Sequence, residues 1–369
     1  MYIVVFCSLL ALFLTYLESI GQLRKGMLWG FVLVTLLQVI HYDYGNDYMS
    51  YYNLYYDVLR QDFNLQRILD GVIYREPGWA IFNYLFKPFG DSGFFVMVAV
   101  ISIFQGIVMY KSIKQFVPCS QWPFAILIYL FATSFYLMSF SMLRQSLVMM
   151  VFVALWPLIQ QRKFVIPLIV LYLCSFIHTS SIILLPFIFW GYIPMNKSAG
   201  KIFIVAYVIL FIALFVLKDF LNNIFTYVMA FSEDLESYQQ NYYDENQTSS
   251  FGLGFLIHLI PLYVGLRYIA NTDNAKNYRL LVALSSISFI IMPFGQIIHL
   301  IGRIALYFSV FSILTIPITY VKLNNCVIRW GVISVYVLIL FYNYWKFFQS
   351  PTWEESYGGE FQTILSVLF

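Results

Sequence analysis

"FVIPLIVLYLCSFIHTSSIILLPFIFW", residues 164–190, decides how the chain is threaded. Taken as one element it is a single long, tilted apolar helix. Taken as two it is a hairpin broken at His178. The choice matters because a single crossing reverses the side of every later loop. It would part Lys197 and Lys201 from the earlier basic loops and bring the acidic stretch 232–245 to the basic side. Two short segments meeting at "FIHTSS" keep the charges sorted along the whole chain, so the broken hairpin is the reading adopted. Backbone that leaves the helix at membrane depth is tolerated only where protein buries it or where it lines a wet cavity. His178 therefore marks an unusual place.

The composition around this stretch is that of a membrane protein. The 369 residues are 61% hydrophobic and 20% aromatic, and 11% are charged, whereas a soluble domain carries roughly 25% charge. Several apolar runs approach or exceed the ~18 residues of a crossing helix. Spans are expected near 1–17, 27–41, 92–111, 122–140, 142–159, 164–177, 179–191, 202–219, 252–269, 280–297, 302–320 and 330–347. The short loops on one side then carry Arg24, Lys25, Lys111, Lys114, Arg162, Lys163, Lys197, Lys201, Arg267, Lys276, Arg279, Lys322 and Arg329, which is 13 of 21 basic residues. Of the 18 acidic residues only Glu18 and Asp273 fall there. The positive-inside rule makes that side cytoplasmic and turns both termini outward.

The expectation is an all-α polytopic membrane protein of about 11–12 transmembrane helices, with re-entrant or broken helices at the outer face. Residues 1–369 read as a single transmembrane domain, with outer loops at 42–77 and 219–251 and an outer tail at 348–369. Residues 1–17 lack a basic leader and a cleavage site and read as a retained span. "REPGWAIFNYLFKPFG" has an apolar part of only about ten residues, too short to cross. It reads as a re-entrant or interfacial helix starting after Pro77, a favoured first helical position. The four cysteines are far apart and read as small buried hydrophobes. No Gly-rich phosphate loop, HExxH or DxD-type cluster lies in a cytoplasmic loop, and no metal site is expected.

The polar residues that remain gather, by this threading, at the outer face. They are Asp47, Tyr48 and Tyr51 in "GNDYMSYY", Arg75 and Glu76 in "REPGW", Arg144 and Gln145 in "LRQS", and His178, Ser180 and Ser181 in "IHTSS". Arg303 in "GRIALYF" joins them. Ionisable groups inside membrane segments usually face a bundle interior or cavity and mark function. Arg144 could instead snorkel to the interface, His178 could be a satisfied core histidine, and the tyrosines could form an interfacial belt. The functional alternative is specific. Two guanidiniums beside one cavity suit a pyrophosphate, because each engages phosphate oxygens in a bidentate way and keeps its charge when partly desolvated. An imidazole near its neutral pKa can take a proton from a sugar hydroxyl. Glu76 and Asp47 compete for that role, and tyrosines stack on sugars.

In this order, "GNDYMSYY", "REPGWAIFNYL", "FSMLRQSLVMM", "FIHTSSIILLP" and more loosely "GRIALYF" resemble the EpsG family of exopolysaccharide and O-antigen repeat-unit polymerases, over roughly residues 40 to 310. The His-Thr-Ser-Ser form stands where the family often carries a different second residue and Ser-Ala, which leaves His178 and Ser180 in register. The resemblance implies a Wzy-like, GT-C-like glycosyltransferase of the bacterial inner membrane, with its active site facing the periplasm or exterior. Such an enzyme moves an oligosaccharide from a polyprenyl-pyrophosphate carrier to a hydroxyl of another carrier-linked unit. It implies no cofactor and no nucleotide sugar, no nucleic acid, and membrane lipids, chain-length regulators and flippases as candidate partners. Under it Arg144 and Arg303 would bind the pyrophosphate, with Arg75 as a third candidate. Gln145 and Ser180 would line the site, and Asp47, Tyr48 and Tyr51 would contact sugar. The base would be His178, with Glu76 as the alternative. A flippase and an O-antigen-type ligase are the rival readings. The flippase calls for a polar path through the midplane, whereas the charge here concentrates in the outer half.

Overall fold

The computed structural model describes residues 2–193, 197–217, 220, 256–271, 276–292, 295, 299–350, 356–357 and 361–365. The chain is an all-α polytopic membrane protein. Among the described residues, the helical regions Tyr2–Ser19, Lys87–Phe116, Leu143–Gln160 and Cys326–Phe347 are long and apolar enough to cross a membrane. Shorter apolar helices stand at most of the other expected spans. Apart from residue 220, the expected loop 219–251 lies outside the described residues.

The chain forms two compact units, Met1–Tyr192 with Val337–Phe369, and Ile193–Tyr336. The first unit begins with α1 (Tyr2–Ser19) packed on α2 (Gly26–Ile40). A two-residue strand β1 (His41–Tyr42) follows, then α3 (Tyr48–Arg60), α4 (Leu65–Leu69) and α5 (Pro77–Tyr84). After a 3₁₀ turn come α6 (Gly93–Phe116), α7 (Trp122–Phe131), α8 (Leu143–Gln160) and α9 (Val165–Ile177). The helix expected after Pro77 is present, with Pro77 at its first position.

The hairpin that fixes the threading is there. His178 is extended (φ −149°, ψ 105°) and ends α9. A 3₁₀ segment, Thr179–Tyr192, then runs back alongside it. The far ends meet again: the Phe164 and Phe189 rings are 5.7 Å apart, and the Tyr192 hydroxyl donates to Arg162 O at 2.8 Å. A 14-residue 3₁₀ run is unusual, and at about 2 Å per residue it reaches ~28 Å, against ~20 Å for the 13 residues of α9. The segment thus spans as far as an ordinary helix with fewer residues, and Pro186 within it takes one donor out of any regular i to i−4 ladder.

Residues 122–140 depart from expectation. The helix ends at Phe131, and residues 132–142 wind through turns and a short 3₁₀ stretch, Met138–Phe140. Side chains hold this path. The Tyr136 hydroxyl donates to Val34 O at 2.8 Å, and Gln38 on α2 hydrogen-bonds Ser139. Buried hydroxyls and an amide from α2 outcompete the helical ladder here, a tertiary effect that apolar periodicity does not register.

In the second unit, α10 (Lys197–Val216), α11 (Leu256–Asn271), α12 (Lys276–Ile291), α13 (His299–Ser309) and α14 (Ser312–Val321) pack together. The expected straight span 302–320 is bent by 58° between Gly302–Ser309 and Ser312–Val321. Helix α15 (Cys326–Phe347) begins in this unit and ends in the first. Strand β2 (Gln362–Thr363) pairs antiparallel with β1, Thr363 opposite His41 and Gln362 opposite Tyr42.

Candidate functional site

The site begins with close backbone contact. At Gly78 on α5 an added Cβ would lie 2.7 Å from the Phe176 carbonyl carbon and 2.8 Å from its Cβ. Only glycine lets the first turn of α5 lie this close to the last turn of α9. Glu76, two residues before Gly78, thereby reaches His178, two residues after Phe176. The Glu76 Oε1 accepts from Thr179 N at 2.9 Å and lies 3.3 Å from His178 Nδ1 and 3.4 Å from Thr179 Oγ1.

Arg144 enters on the first turn of α8. Its Nη1 forms an ion pair with Glu76 Oε2. Its Nε donates to the Tyr51 hydroxyl at 3.3 Å, and its Cζ lies 5.3 Å from the Tyr51 ring centroid and 5.0 Å from that of Tyr74. Cation–π contacts of this kind contribute ~0.5–2 kcal/mol each, more when desolvated. The pair is largely shielded, with 19% of the Arg144 side chain and 8% of the Glu76 side chain exposed. Removing one partner of such a buried pair typically costs about 3–5 kcal/mol, because the other charge is stranded. Burial pushes the Tyr51 phenol up more than Arg144 beside it pulls it down, so Tyr51 stays neutral and keeps its proton to donate onward.

The start of α8 is itself anchored. Ser141 Oγ donates to Asn46 Oδ1 at 2.6 Å and accepts from Asp47 N at 2.9 Å. Gly45, at φ +112°, brings the turn so near that an added Cβ would sit 2.6 Å from Ser141 Cβ. The same turn is tied to the tail, since Gly45 N donates to Ser356 O at 3.0 Å and the Tyr44 ring stacks edge-on against Tyr357 and Phe361.

Of the residues singled out in the sequence, the structure brings together Glu76, Arg144, His178 and Tyr51. Asp47 is half-buried at the start of α3, near enough for its charge to act on Tyr51. Gln145 is buried on α8, and Ser180 is half-buried just past the break. Arg75 is exposed beside Glu76. Arg303 lies half-buried on α13 in the second unit. Tyr48 does not fit a sugar contact. It is fully buried, its hydroxyl donates to His41 O at 3.2 Å, and its ring packs on Phe94. Tyr51 is likewise buried beneath Arg144 and against Trp79, so it acts on the guanidinium and offers no open face to a sugar. The half-exposed rings of this region include Tyr42, Tyr52, Tyr56 and Tyr74.

Sequence reasoning missed Tyr74, Thr179 and Gly78. Tyr74 directly precedes "REPG" and Thr179 directly follows His178, so adjacency was the available signal. Charge alone does not select them.

The arrangement can fix an imidazole tautomer, hold a guanidinium edge at a set place, and keep both within one shielded cluster. A family model, described as the EpsG family, matches residues 26–358. No curated protein and no solved structure matches the chain significantly. The matched range contains every residue of the cluster and stops short of β2.

Proposed function

The chain belongs to the EpsG family, and from that premise we propose that it is a polysaccharide polymerase of the bacterial inner membrane. It transfers an oligosaccharide from a polyprenyl-pyrophosphate carrier to a hydroxyl of another carrier-linked repeat unit at the outer leaflet. The observation that carries this reading is the Glu76–Arg144–His178 cluster at one end of the first unit. Helix α8 runs ~27 Å from Arg144 to the loop bearing Arg162 and Lys163, at 1.5 Å per residue. Helix α2 runs from Lys25 toward His41, which lies 3.2 Å from Phe140 O near the start of α8. Helix α6 runs from Phe94, packed on Tyr48, to Lys111 and Lys114. The cluster lies at the helix ends opposite three basic loops, which under the positive-inside rule supports an outer-face site.

The chemistry is a single displacement. The acceptor oxygen attacks the anomeric carbon, the bond from that carbon to the diphosphate oxygen breaks, and the diphosphate leaves with the electron pair. Arg144 holds the departing charge through its N–H edge, and Arg75, exposed beside Glu76, is a further cation for the same diphosphate. His178 takes the acceptor proton. With its Nδ1 proton donated to Glu76, the basic nitrogen is Nε2, so the carboxylate sets the tautomer. Glu76 is already engaged through both oxygens and stands behind the base as its orienting group. Chain-length regulators and a flippase are the partners this role calls for.

Replacement of His178, Arg144 or Glu76 by Ala in a polymer-producing cell tests the reading. Loss of a general base costs about 10²–10⁴ in rate, so long chains should disappear while single repeat units persist. Long chains retained at normal protein level would remove that residue from the machinery. Accumulation of unattached polymer would indicate a ligase, and inner-leaflet lipid-linked units a flippase.

A further inference from the structure

Arg144 is spoken for in this structure. Tyr51 and Tyr74 lie against the guanidinium, and Glu76 takes Nη1. A carboxylate and a phosphate oxygen use the same N–H edge of a guanidinium. A donor diphosphate that takes Nη1 must therefore replace Glu76 there. We infer that Glu76 is an internal competitor for the donor. It occupies Arg144 until a diphosphate arrives, then yields the edge while keeping its hold on Thr179 and His178. The inference rests on the proposal that Arg144 receives the donor diphosphate.

Two features of the geometry make the exchange feasible. The Glu76 Oε1 is tethered independently of Arg144, by the Thr179 N–H at 2.9 Å and by His178 Nδ1 at 3.3 Å. When Oε2 loses Arg144, the carboxylate is not left as a buried, unpartnered charge. Arg144 in turn keeps Tyr51 Nε-bonded and both rings against it, so its position is retained while its anion changes. A carboxylate already in place, and held on its other oxygen, has a large effective concentration. Every incoming anion must displace it, so Glu76 lowers the affinity of the Arg144 site for anions. Glu76 thus tunes how tightly a diphosphate-linked donor is held, and its return to Arg144 assists release of the polyprenyl diphosphate after transfer.

The test uses the purified full chain in nanodiscs, with inorganic pyrophosphate and inorganic phosphate as probes and binding followed by calorimetry. Glu76→Gln should bind pyrophosphate at least about tenfold more tightly than wild type, an ordinary size for coupling between competing groups. It should also bind phosphate more tightly, by a similar factor. Arg144→Ala should bind neither. Glu76→Asp keeps the charge but is one methylene shorter. Held by Thr179 it falls short of Arg144, so it should also bind pyrophosphate more tightly than wild type, which provides a second reading if Glu76→Gln is unstable. Binding to both Glu76 variants that is no tighter than wild type, with Arg144→Ala still defective, overturns the competition and leaves Arg144 as the anion site. Unchanged binding in Arg144→Ala overturns the donor-site reading and this inference with it. Absence of saturable binding in wild type and in both Glu76 variants overturns the inference as well.

Discussion

Tyr51 and Tyr74 both hold one guanidinium. Tyr51 offers Arg144 an oxygen at 3.3 Å and a ring face, and Tyr74 likewise hydrogen-bonds the guanidinium and lies with its ring 5.0 Å from Cζ. Tyr51→Phe keeps the ring and removes the oxygen, so it should destabilise the protein by about 0.5–1.5 kcal/mol. Tyr74→Leu removes a cation–π contact in a shielded place and should cost about 1–2 kcal/mol. Both should shorten polymer chains without abolishing them, because Arg144 and Glu76 remain. Thermal unfolding of the purified variants and gel profiles of the polymer check this, and chains of normal length in Tyr74→Leu would assign Tyr74 to packing alone. At this scale the sequence pointed to Arg144, Glu76 and His178 because charge in an apolar segment is conspicuous. Neutral rings are not conspicuous in a chain with 30 tyrosines. Tyr48 was misplaced for the same reason: an aromatic next to Asp47 reads alike whether it faces sugar or core.

At the level of elements, the site depends on how closely α5 approaches the end of α9. Gly78→Ala places a methyl 2.7–2.8 Å from Phe176 atoms, two of them backbone. Overpacking of this kind costs about 1–3 kcal/mol and must be relieved by moving one helix. The movement separates Glu76 from His178 and Thr179, so Gly78→Ala should lose long polymer chains at near-normal membrane levels. A profile indistinguishable from wild type would show that α5 can shift without disturbing the pair. The broken hairpin could be foreseen because loop charges sort only if residues 164–190 turn back at His178. The early end of α7 and the bend between α13 and α14 could not. The first arises where Tyr136 and Gln38 bond across to α2 and to Ser139, and the bend has no counterpart in the apolar pattern. Hydropathy carries no trace of such contacts. The meeting of Glu76 with Arg144 was legible only as a shared side. The contact itself needed the Gly78 approach and the Ser141 anchor.

For the molecule as a whole, the orientation in the membrane is the assignment with the widest consequences, and native cysteines report on it. Of the four cysteines expected to be buried, Cys7 and Cys174 are, whereas Cys119 and Cys326 are exposed, beside loops that the charge rule assigns to the cytoplasm. A membrane-impermeant maleimide should label Cys119→Ser and Cys326→Ser single variants in inverted vesicles through the thiol that remains. It should leave both unlabelled in intact cells. Labelling from the outside would invert the topology and place the Glu76 cluster at the inner face. The pairing of β2 with β1 has a bearing on how the protein is made. Residues 41–42 enter the membrane early in synthesis, and residues 362–363 leave the ribosome most of a chain length later. At ~5–20 residues per second that interval is on the order of tens of seconds. For the later part of it Glu76, Arg144 and His178 are already synthesised, but the turn that anchors Arg144 lacks its tie to the tail. A chain made only as far as α9 therefore lacks this clasp, and emergence of residues 356–363 becomes the event that supplies it.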